Sequence, residues 1–205
     1  AEHLTARGHD VVLVDREREG FGSTAASTAM LQWEIDLPLR RLAALYGFDK
    51  AADVYRRSFK AVEGLREHIV QMDLACAFLP RDSVYLAAGE TGPRELLDER
   101  TLRERAGLPG TLLDHATLLG TFGFDRAAAI VSPGSAEADP LCLCHALLHA
   151  AAGRGARLIR DEAVAYDSTQ RGAAVQLAGG RTIEAGHVVL ATGYVMPDCV
   201  GSALH

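Results

Sequence analysis

The stretch Val11-Val12-Leu13-Val14-Asp15 decides the fold of this chain. Its four apolar residues lie between Gly8-His9-Asp10 and a charged turn, a pattern typical of a short strand buried on both faces of a parallel sheet. The run ends on the carboxylate of Asp15. In dinucleotide-binding α/β folds, an acidic residue at the end of the second strand accepts hydrogen bonds from the adenosine ribose. The stretch therefore predicts a parallel sheet with a nucleotide-binding edge.

The glycine-rich phosphate loop of such a fold precedes that carboxylate by about 20 residues. Counting back from Asp15 leaves the chain, which starts at Ala1 inside what reads as the last turns of a helix. We therefore expect the native protein to contain at least about 10 further residues before Ala1, which would form the first and central strand of the sheet. The C-terminal residues 201–205 follow closely on a predicted buried strand, so we expect a fragment at both ends.

The amino-acid composition argues against several classes of binding partner. Of the 205 residues, 48% are hydrophobic and 23% are charged, which is typical of a globular protein. The net charge of -6 argues against binding to nucleic acid or to an anionic membrane surface. No apolar run reaches the roughly 18 residues of a membrane span, and the four cysteines lack the spacing of a disulfide framework. We expect reduced thiols, a cytoplasmic protein and a small-molecule partner.

Along the rest of the chain, the spacing of apolar residues predicts helices that alternate with strands. Asp139 before Pro140 is typical of a helix start. Gly47-Phe48-Asp49 is expected to break a long helical segment in two, and Gly179-Gly180 to form a turn. The predicted helices are 38–73, 94–106 and 140–152. The predicted strands are 84–87, 128–131, 156–160 and 187–191. A turn is predicted at 80–83, and a small meander at 164–166, 173–177 and 181–183.

The segment from Gly22 to Ala29 contains only small residues and hydroxyls. Without long side chains, backbone N–H groups and hydroxyls can approach an anion or a flat ligand closely. The segment therefore has two interpretations. It is either a ligand-binding loop or a flexible loop that leads into a helix.

Five segments in this order resemble the D-amino-acid oxidase type of FAD-dependent oxidoreductases. They are Gly8-His9-Asp10-Val11-Val12-Leu13-Val14-Asp15; Gly22-Ser23-Thr24-x-x-Ser27-x-Ala29; Ala138-Asp139-Pro140 at a helix start; Gly155-Ala156 before a strand; and Val188-Val189-Leu190-Ala191-Thr192-Gly193. The resemblance spans nearly the whole chain and implies FAD as the cofactor.

The resemblance also implies roles for individual residues. Asp15 would bind the adenosine ribose, with Arg16 beside it in the cofactor-binding set, and the backbone of Val164 would touch the adenine. The hydroxyl residues Ser23, Thr24 and Ser27 would approach the pyrophosphate or the flavin. Ala191, Thr192 and Gly193 would pass near the dinucleotide.

The implied fold class is α/β, with a Rossmann-like FAD/NAD(P)-binding parallel sheet, a β-meander crossover and part of an inserted α+β domain. An incomplete FAD-binding domain would comprise residues 1–31 and 139–205. Residues 32–138 would be part of the substrate domain. In the usual strand order, strand 156–160 lies beside strand 11–15, then come the absent first strand and strand 187–191.

The predicted substrate domain contains the candidates for chemistry. A carboxylate substrate usually needs an arginine fork, for which Arg81, Arg94 and Arg126 are candidates, and Tyr85 is a candidate hydroxyl donor. Glu34 is a candidate proton acceptor. The alternative is that the arginines are solvated, and that Trp33, Glu34 and Asp36 begin a helix packed on the core.

One helical face carries Cys142, His145 and His149, which have the spacing of metal ligands. Structural metal sites need about four ligands, and no second cluster of ligands accompanies these three. We therefore expect no metal and interpret these side chains as packing residues.

We consider three functions. The first is an FAD-dependent oxidoreductase that oxidises a small amine, amino acid or hydroxy acid by hydride transfer to flavin, although the fragment alone is expected to be inactive. The alternatives are a nicotinamide-dependent dehydrogenase and a cofactor-free binding remnant. The meander before the last predicted strand favours the flavin enzyme, because a nicotinamide domain normally has a helical crossover there.

Overall fold

The structure is a computed structural model that describes residues 1–169 and 172–193 together with Pro197 and Val200. The chain divides into two compact units. The first unit comprises Ala1–Ser27 and Pro140–His205, and the second comprises Thr28–Asp139. Cys199, predicted to be a reduced thiol, lies outside the described residues. No helix in the described part of the chain is long and apolar enough to cross a membrane.

Fifteen elements make up the described chain. In order they are α1 Glu2–Ala6, β1 Val12–Asp15, β2 Met30–Leu31, α2 Leu39–Tyr46, α3 Phe48–Gln71, β3 Leu79–Leu86, α4 Pro93–Arg105, β4 Thr111–Asp114, α5 His115–Phe122, β5 Ala128–Glu137, α6 Pro140–Gly153, β6 Arg157–Arg160, β7 Ala163–Thr169, β8 Gly172–Leu177 and β9 Thr182–Ala185.

A parallel strand pair lies in the first unit. Strand β1 pairs with β6 in parallel, with Val12 opposite Arg157 and Asp15 opposite Arg160. The prediction that these two strands lie side by side in the sheet is therefore confirmed. The apolar residues of β1 are half-buried rather than buried on both faces, and Asp15 at its carboxyl end is exposed.

The predicted meander is also confirmed. Strands β7, β8 and β9 form an antiparallel three-stranded sheet in that order. The turn between β8 and β9 contains Gly180 at φ 82°, a left-handed conformation that glycine adopts without steric cost. A bulge in β7 shifts the register between Ala163 and Ala165.

The second unit contains a four-stranded antiparallel sheet. Strand β5 lies between β3 on one side and β2 and β4 on the other. The larger buried cluster centres on Trp33, Leu39 and Tyr55, and α2 and α3 meet at Gly47, which breaks the helical segment with φ 85° as predicted. A second cluster joins Leu96 of α4 to Ile130 of β5.

The turn predicted at residues 80–83 is wrong. Strand β3 runs through these residues, with Pro80 opposite Ala136 and a bulge between Arg81 and Ser83. Pairing with β5, which extends beyond the predicted 128–131, determines this backbone and overrides the local turn preference of Pro-Arg-Asp-Ser. Proline is tolerated because it lies at the start of the strand.

The strand predicted at residues 187–191 is also wrong. These residues form no strand, and Val188, Val189 and Leu190 are exposed. A β-strand requires a neighbour that bonds its backbone, and among the described residues the parallel sheet consists of β1 and β6 alone. Without such a partner, the apolar composition of this segment does not produce a strand.

Candidate functional site

The carboxyl end of β1 presents an exposed carboxylate. Oδ1 of Asp15 accepts the backbone N–H of Glu17 at 3.0 Å, and the other oxygen has no hydrogen-bond partner in the described part of the chain. Arg16 approaches Glu162 at 3.5 Å between half-exposed side chains. The carboxylate of Asp15 is therefore held at the strand end with acceptor capacity to spare, as hydroxyl recognition requires.

The small-residue loop follows in the same unit. Gly20 packs so closely on α6 that an added Cβ would lie 2.7 Å from Cδ1 of Leu141, whereas a Cβ on Gly22 would meet nothing within 4 Å. Among the described residues, no acceptor takes the backbone N–H groups of Gly22, Ser23 and Thr24. Three successive free N–H groups in a loop form the donor set that binds phosphate oxygens.

The predicted hydroxyls lie in this loop with different exposure. Ser23 and Ser27 are exposed and Thr24 is half-buried. The backbone N–H of Ser27 donates to the carbonyl of Thr24 at 3.2 Å, which closes a turn over the loop. The loop therefore combines N–H and hydroxyl donors on one short segment.

Val164 occupies the bulge in β7. Its neighbours Ala163 and Ala165 pair with Leu177 and Gln176, so Val164 has no pairing partner on β8. Its side chain is 57% exposed. The extra residue of a bulge has backbone groups outside the regular ladder, which fits the predicted backbone contact with a base.

Ala191, Thr192 and Gly193 lie beyond β9 in an exposed segment. In the described part of the chain, no hydrogen bond links them to Asp15, to the loop or to Val164. Asp15, the loop and Val164 therefore lie in one unit, together with residues 191–193, and the described contacts do not bond the last segment to the other three.

The residues of the first unit fit a dinucleotide such as FAD. An acceptor carboxylate is available for ribose hydroxyls, free N–H donors are available for a pyrophosphate, and an unpaired backbone position is available for a base. These three chemistries match the three polar parts of the nucleotide half of the cofactor.

His145, one of the three residues with metal-type spacing, has other partners, and the neighbouring Cys144 lies close to the same loop. Nε2 of His145 is hydrogen-bonded to the carbonyl of Glu19 at 2.9 Å, and its ring stacks on Phe21 with centroids 6.5 Å apart. Burial raises the pKa of the Cys144 thiol, and the negative charges of Glu19 and Asp15 raise it further. These contacts fasten α6 to the loop after β1.

A buried ionic cluster lies in the second unit. The guanidinium of Arg103 is 2% exposed and the carboxylate of Glu99 is 1% exposed, and Nε of Arg103 donates to Oε1 of Glu99 at 2.8 Å. Glu99 also accepts the backbone N–H groups of Leu39 at 3.0 Å and Arg40 at 2.8 Å. Glu99 therefore satisfies the first N–H groups of α2, which has no side-chain cap of its own.

Glu34 belongs to the same cluster. Its Oε1 accepts the hydroxyl of Ser83 at 2.5 Å and Nη1 of Arg103 at 3.3 Å. Its Oε2 is buried and has no hydrogen-bond partner among the residues that the structure describes. Arg103 also donates to the hydroxyl of Ser132 at 3.2 Å. The candidate proton acceptor thus has one oxygen committed to the cluster and one buried oxygen uncommitted.

Aromatic rings surround this guanidinium. Arg103 lies 5.4 Å from the ring centroid of Trp33 and 5.9 Å from those of Tyr55 and Tyr85. Burial, with the charge of Glu99 second, raises the pKa of Tyr55, whose hydroxyl donates to the carbonyl of Leu37 at 2.9 Å. The candidate hydroxyl donor Tyr85 is half-buried, and its ring is one of the three that surround the Arg103 guanidinium.

The three candidate arginines do not form one site. Arg81 is exposed on β3 and binds Glu137 at 2.7 Å, a hydrogen bond that lowers the pKa of the Glu137 carboxyl and raises that of the guanidinium. Arg126 is exposed in the loop before β5 and donates to the carbonyl of Asp125. Arg94 is exposed in the first turn of α4.

Sequence reasoning missed Arg103, Glu99, Ser83 and Ser132. A signal for the first two was present, because Glu99 and Arg103 are four residues apart in a predicted helix, the spacing of an ion pair. On a helix that reads as polar all round, this spacing normally indicates a solvated pair. Their burial depends on Glu34 and on α2, which are distant in sequence.

Comparison with known proteins identifies relatives of the whole chain. Residues 1–202 match the DAO family model, which describes FAD dependent oxidoreductases. Gamma-glutamylputrescine oxidoreductase of Escherichia coli (strain K12) is 25% identical over 202 residues, which cover 98% of this chain and 47% of that protein. The cofactor that this family implies is FAD.

Solved structures share the fold. Glycine oxidase from Geobacillus kaustophilus matches with a TM-score of 0.69 and 23% identity, covering 90% of this chain and 49% of that chain. L-proline dehydrogenase from P. horikoshii matches with a TM-score of 0.68 and 16% identity, covering 91% and 48%. These likenesses confirm the predicted α/β fold class. The chain spans about half the length of the relatives named here.

Proposed function

The chain belongs to the DAO family of FAD dependent oxidoreductases, and on this premise we propose that it serves an enzyme that oxidises a small amine, amino acid or hydroxy acid by hydride transfer to flavin. In this proposal the first unit is part of the FAD-binding domain and the second is part of the substrate domain. The observation that carries it is the exposed carboxylate of Asp15 at the end of a parallel strand, in one unit with a loop of free N–H donors.

The residues of the first unit would hold the nucleotide half of the cofactor. Asp15 accepts hydrogen bonds from the ribose hydroxyls, and the N–H groups of Gly22, Ser23 and Thr24 donate to the pyrophosphate. Val164 offers its backbone to the adenine at the bulge in β7. A bound FAD would supply the redox chemistry of the reaction, and these residues would bind and orient it.

The second unit would supply the substrate side of the site. Glu34 has a buried acceptor oxygen that no other described residue bonds, so it can take a proton from a substrate amine or hydroxyl that reaches it. Arg103 and Ser83 hold the other oxygen and fix the carboxylate in one orientation. Arg81 is the candidate for a substrate carboxylate, since its exposed guanidinium would exchange Glu137 for the ligand.

The two alternative functions predict results different from those of a flavin enzyme. A nicotinamide-dependent dehydrogenase does not agree with membership of an FAD dependent family. A cofactor-free remnant would release no flavin from the folded protein.

The visible spectrum of the purified full-length gene product tests the proposal. We expect flavin absorption bands, release of FAD on denaturation, and bleaching of the bands when a substrate amine, amino acid or hydroxy acid is added without oxygen. A colourless full-length protein that does not bind added FAD would overturn the proposal.

A further inference from the structure

Asp161 connects three segments of the first unit. It directly follows β6, and its side chain is 13% exposed. Its Oδ1 accepts the backbone N–H groups of Glu162 at 2.8 Å and Gly179 at 3.2 Å, and its Oδ2 lies 3.6 Å from Nη2 of Arg181. One carboxylate therefore binds the start of β7 and the turn between β8 and β9.

The backbone of Asp161 makes a third connection. Its N–H donates to the carbonyl of Asp15 at 3.0 Å, which extends the parallel pairing of β1 and β6 to the strand ends. The carbonyl of Glu162 accepts the N–H of Ala178 at 2.9 Å, so the turn is fastened to the same place a second time. Asp15 and the segment that leads to Val164 are thereby held by one residue.

Gly179 fits this arrangement closely. A Cβ at this position would lie 2.7 Å from Oδ2 of Asp161 and 3.5 Å from its Cγ. A side chain on residue 179 would therefore displace the carboxylate from the turn. The close approach is specific to Asp161, since the three nearest atoms to the added Cβ all belong to it.

We propose that Asp161 is a positioning residue for the adenosine half of FAD. Its side chain would hold the residue before β7 and the β8–β9 turn, and with them the bulge at Val164, against the end of β6, where the backbone of Asp161 bonds that of Asp15. This inference rests on the proposed function, because Asp15 and Val164 are the predicted ribose and adenine contacts. It adds that the β8–β9 turn, which contains none of the predicted cofactor-binding residues, determines cofactor affinity through Asp161.

Ligand fragments separate positioning from general stability. Apoprotein of the full-length gene product is titrated with FAD, with ADP as the adenosine half and with FMN as the flavin half. We expect Asp161→Ala to weaken FAD and ADP binding by the same factor, about tenfold or more since two charged hydrogen bonds to backbone are lost. Binding of FMN is expected to match the wild type.

A double substitution tests the contact directly. Gly179→Ala alone is expected to weaken ADP binding, because its Cβ displaces the Asp161 carboxylate. In the Asp161→Ala background the same change should have little further effect, because the atoms that clash are gone; residues in contact give such non-additive effects. Two independent losses that simply add would contradict the proposed contact.

Two further variants keep the test decisive. Asp161→Asn keeps a carbonyl acceptor for both N–H groups and is expected to bind ADP nearly as the wild type does. Asp167→Ala is the matched control, since Asp167 lies on β7 of the same meander and its carboxylate accepts Nε2 of Gln176 at 3.1 Å, a contact within the meander. Its ADP affinity should be unchanged.

The outcomes distinguish this inference from the proposed function. A wild-type protein that binds neither FAD nor ADP would overturn both. A wild-type protein that binds FAD while Asp161→Ala binds ADP equally well would overturn only the role of Asp161. Equal losses for ADP and FMN would indicate a general loss of structure and would likewise overturn the positioning role.

Discussion

Arg103 donates through Nε to Oε1 of Glu99 at 2.8 Å, one helical turn away on α4, with both side chains almost fully buried. The same helix carries Arg100 and Glu104 with the same spacing and the same 2.8 Å distance, but Glu104 is 70% exposed. The two pairs share their spacing and distance but differ in burial and in the order of acid and base along the helix. Glu99 also caps α2, so it connects two helices of the second unit.

We predict that Glu99→Ala destabilises the protein by about 3 to 5 kcal/mol, because it leaves the buried guanidinium and the first N–H groups of α2 without this partner. Glu104→Ala, the control on the same helix, should cost less than about 1 kcal/mol. Urea denaturation followed by circular dichroism measures both. Equal costs for the two variants would contradict the structural role of the buried pair.

Replacement of Asp15 tests the nucleotide site. Asp15→Ala removes a charged acceptor for two ribose hydroxyls, and hydrogen bonds to charged groups contribute about 1.5 to 3 kcal/mol each. We expect FAD affinity of the full-length protein to fall at least about tenfold, measured by flavin fluorescence. Asp10→Ala is the control, since Asp10 precedes the same strand and pairs with Arg157 at 3.3 Å. An unchanged affinity in Asp15→Ala would remove this residue from the site.

Two glycines of the small-residue loop should differ in tolerance. Gly20→Ala combines a positive φ of 79° with a Cβ placed 2.7 Å from Leu141, whereas Gly22→Ala meets open space. We expect Gly20→Ala to cost about 1 to 3 kcal/mol of unfolding free energy through overpacking and backbone strain. Gly22→Ala should unfold like the wild type. Equal denaturation midpoints for the two variants would contradict this predicted difference in stability.

Glu34 is predicted to act on the substrate. Glu34→Gln preserves the shape of the side chain but removes the proton acceptor, so the rate of flavin reduction by substrate should fall roughly a hundredfold or more. Glu137→Gln, at the end of β5 and bonded to Arg81, should leave that rate within a few-fold of the wild type if Arg81 alone contacts the substrate. Stopped-flow absorbance measures the rate, and a wild-type rate in Glu34→Gln would exclude the role.

Stability at low pH should depend on Asp114. This residue caps α5, and the hydrogen bond from the backbone N–H of Thr117 at 2.8 Å lowers the pKa of its carboxyl. Because the folded-state pKa lies below the unfolded value of about 3.9, the stabilisation is complete above that pH and disappears as the pH falls through the folded value.

Asp114→Ala should therefore lower the urea midpoint at pH 7, and its difference from the wild type should shrink as the pH falls below about 3.9, while Asp98→Ala, an exposed change on α4, should follow the wild type throughout. A constant difference between Asp114→Ala and the wild type at every pH would contradict this interpretation of the cap.

Local chemistry in the sequence determined much of the fold. The apolar run before Asp15, the proline that begins α6 and the glycine turn between β8 and β9 each specify their structure within a few residues. Gly47 breaks the helical segment for the same local reason. The family resemblance added the parallel pairing of β1 with β6, which no short segment contains by itself.

The tertiary structure alone decided the rest, because it depends on partners far apart in sequence. Residues 80–83 have turn composition, yet pairing with β5 makes them strand, and residues 187–191 have strand composition but no neighbour to bond. Glu34 and Glu99 meet at Arg103 because packing brings the segment after β2 against α4. The spacing of charged residues along the sequence is the same whether such distant elements bury a carboxylate or leave it exposed to water. The sequence alone therefore does not distinguish the two cases.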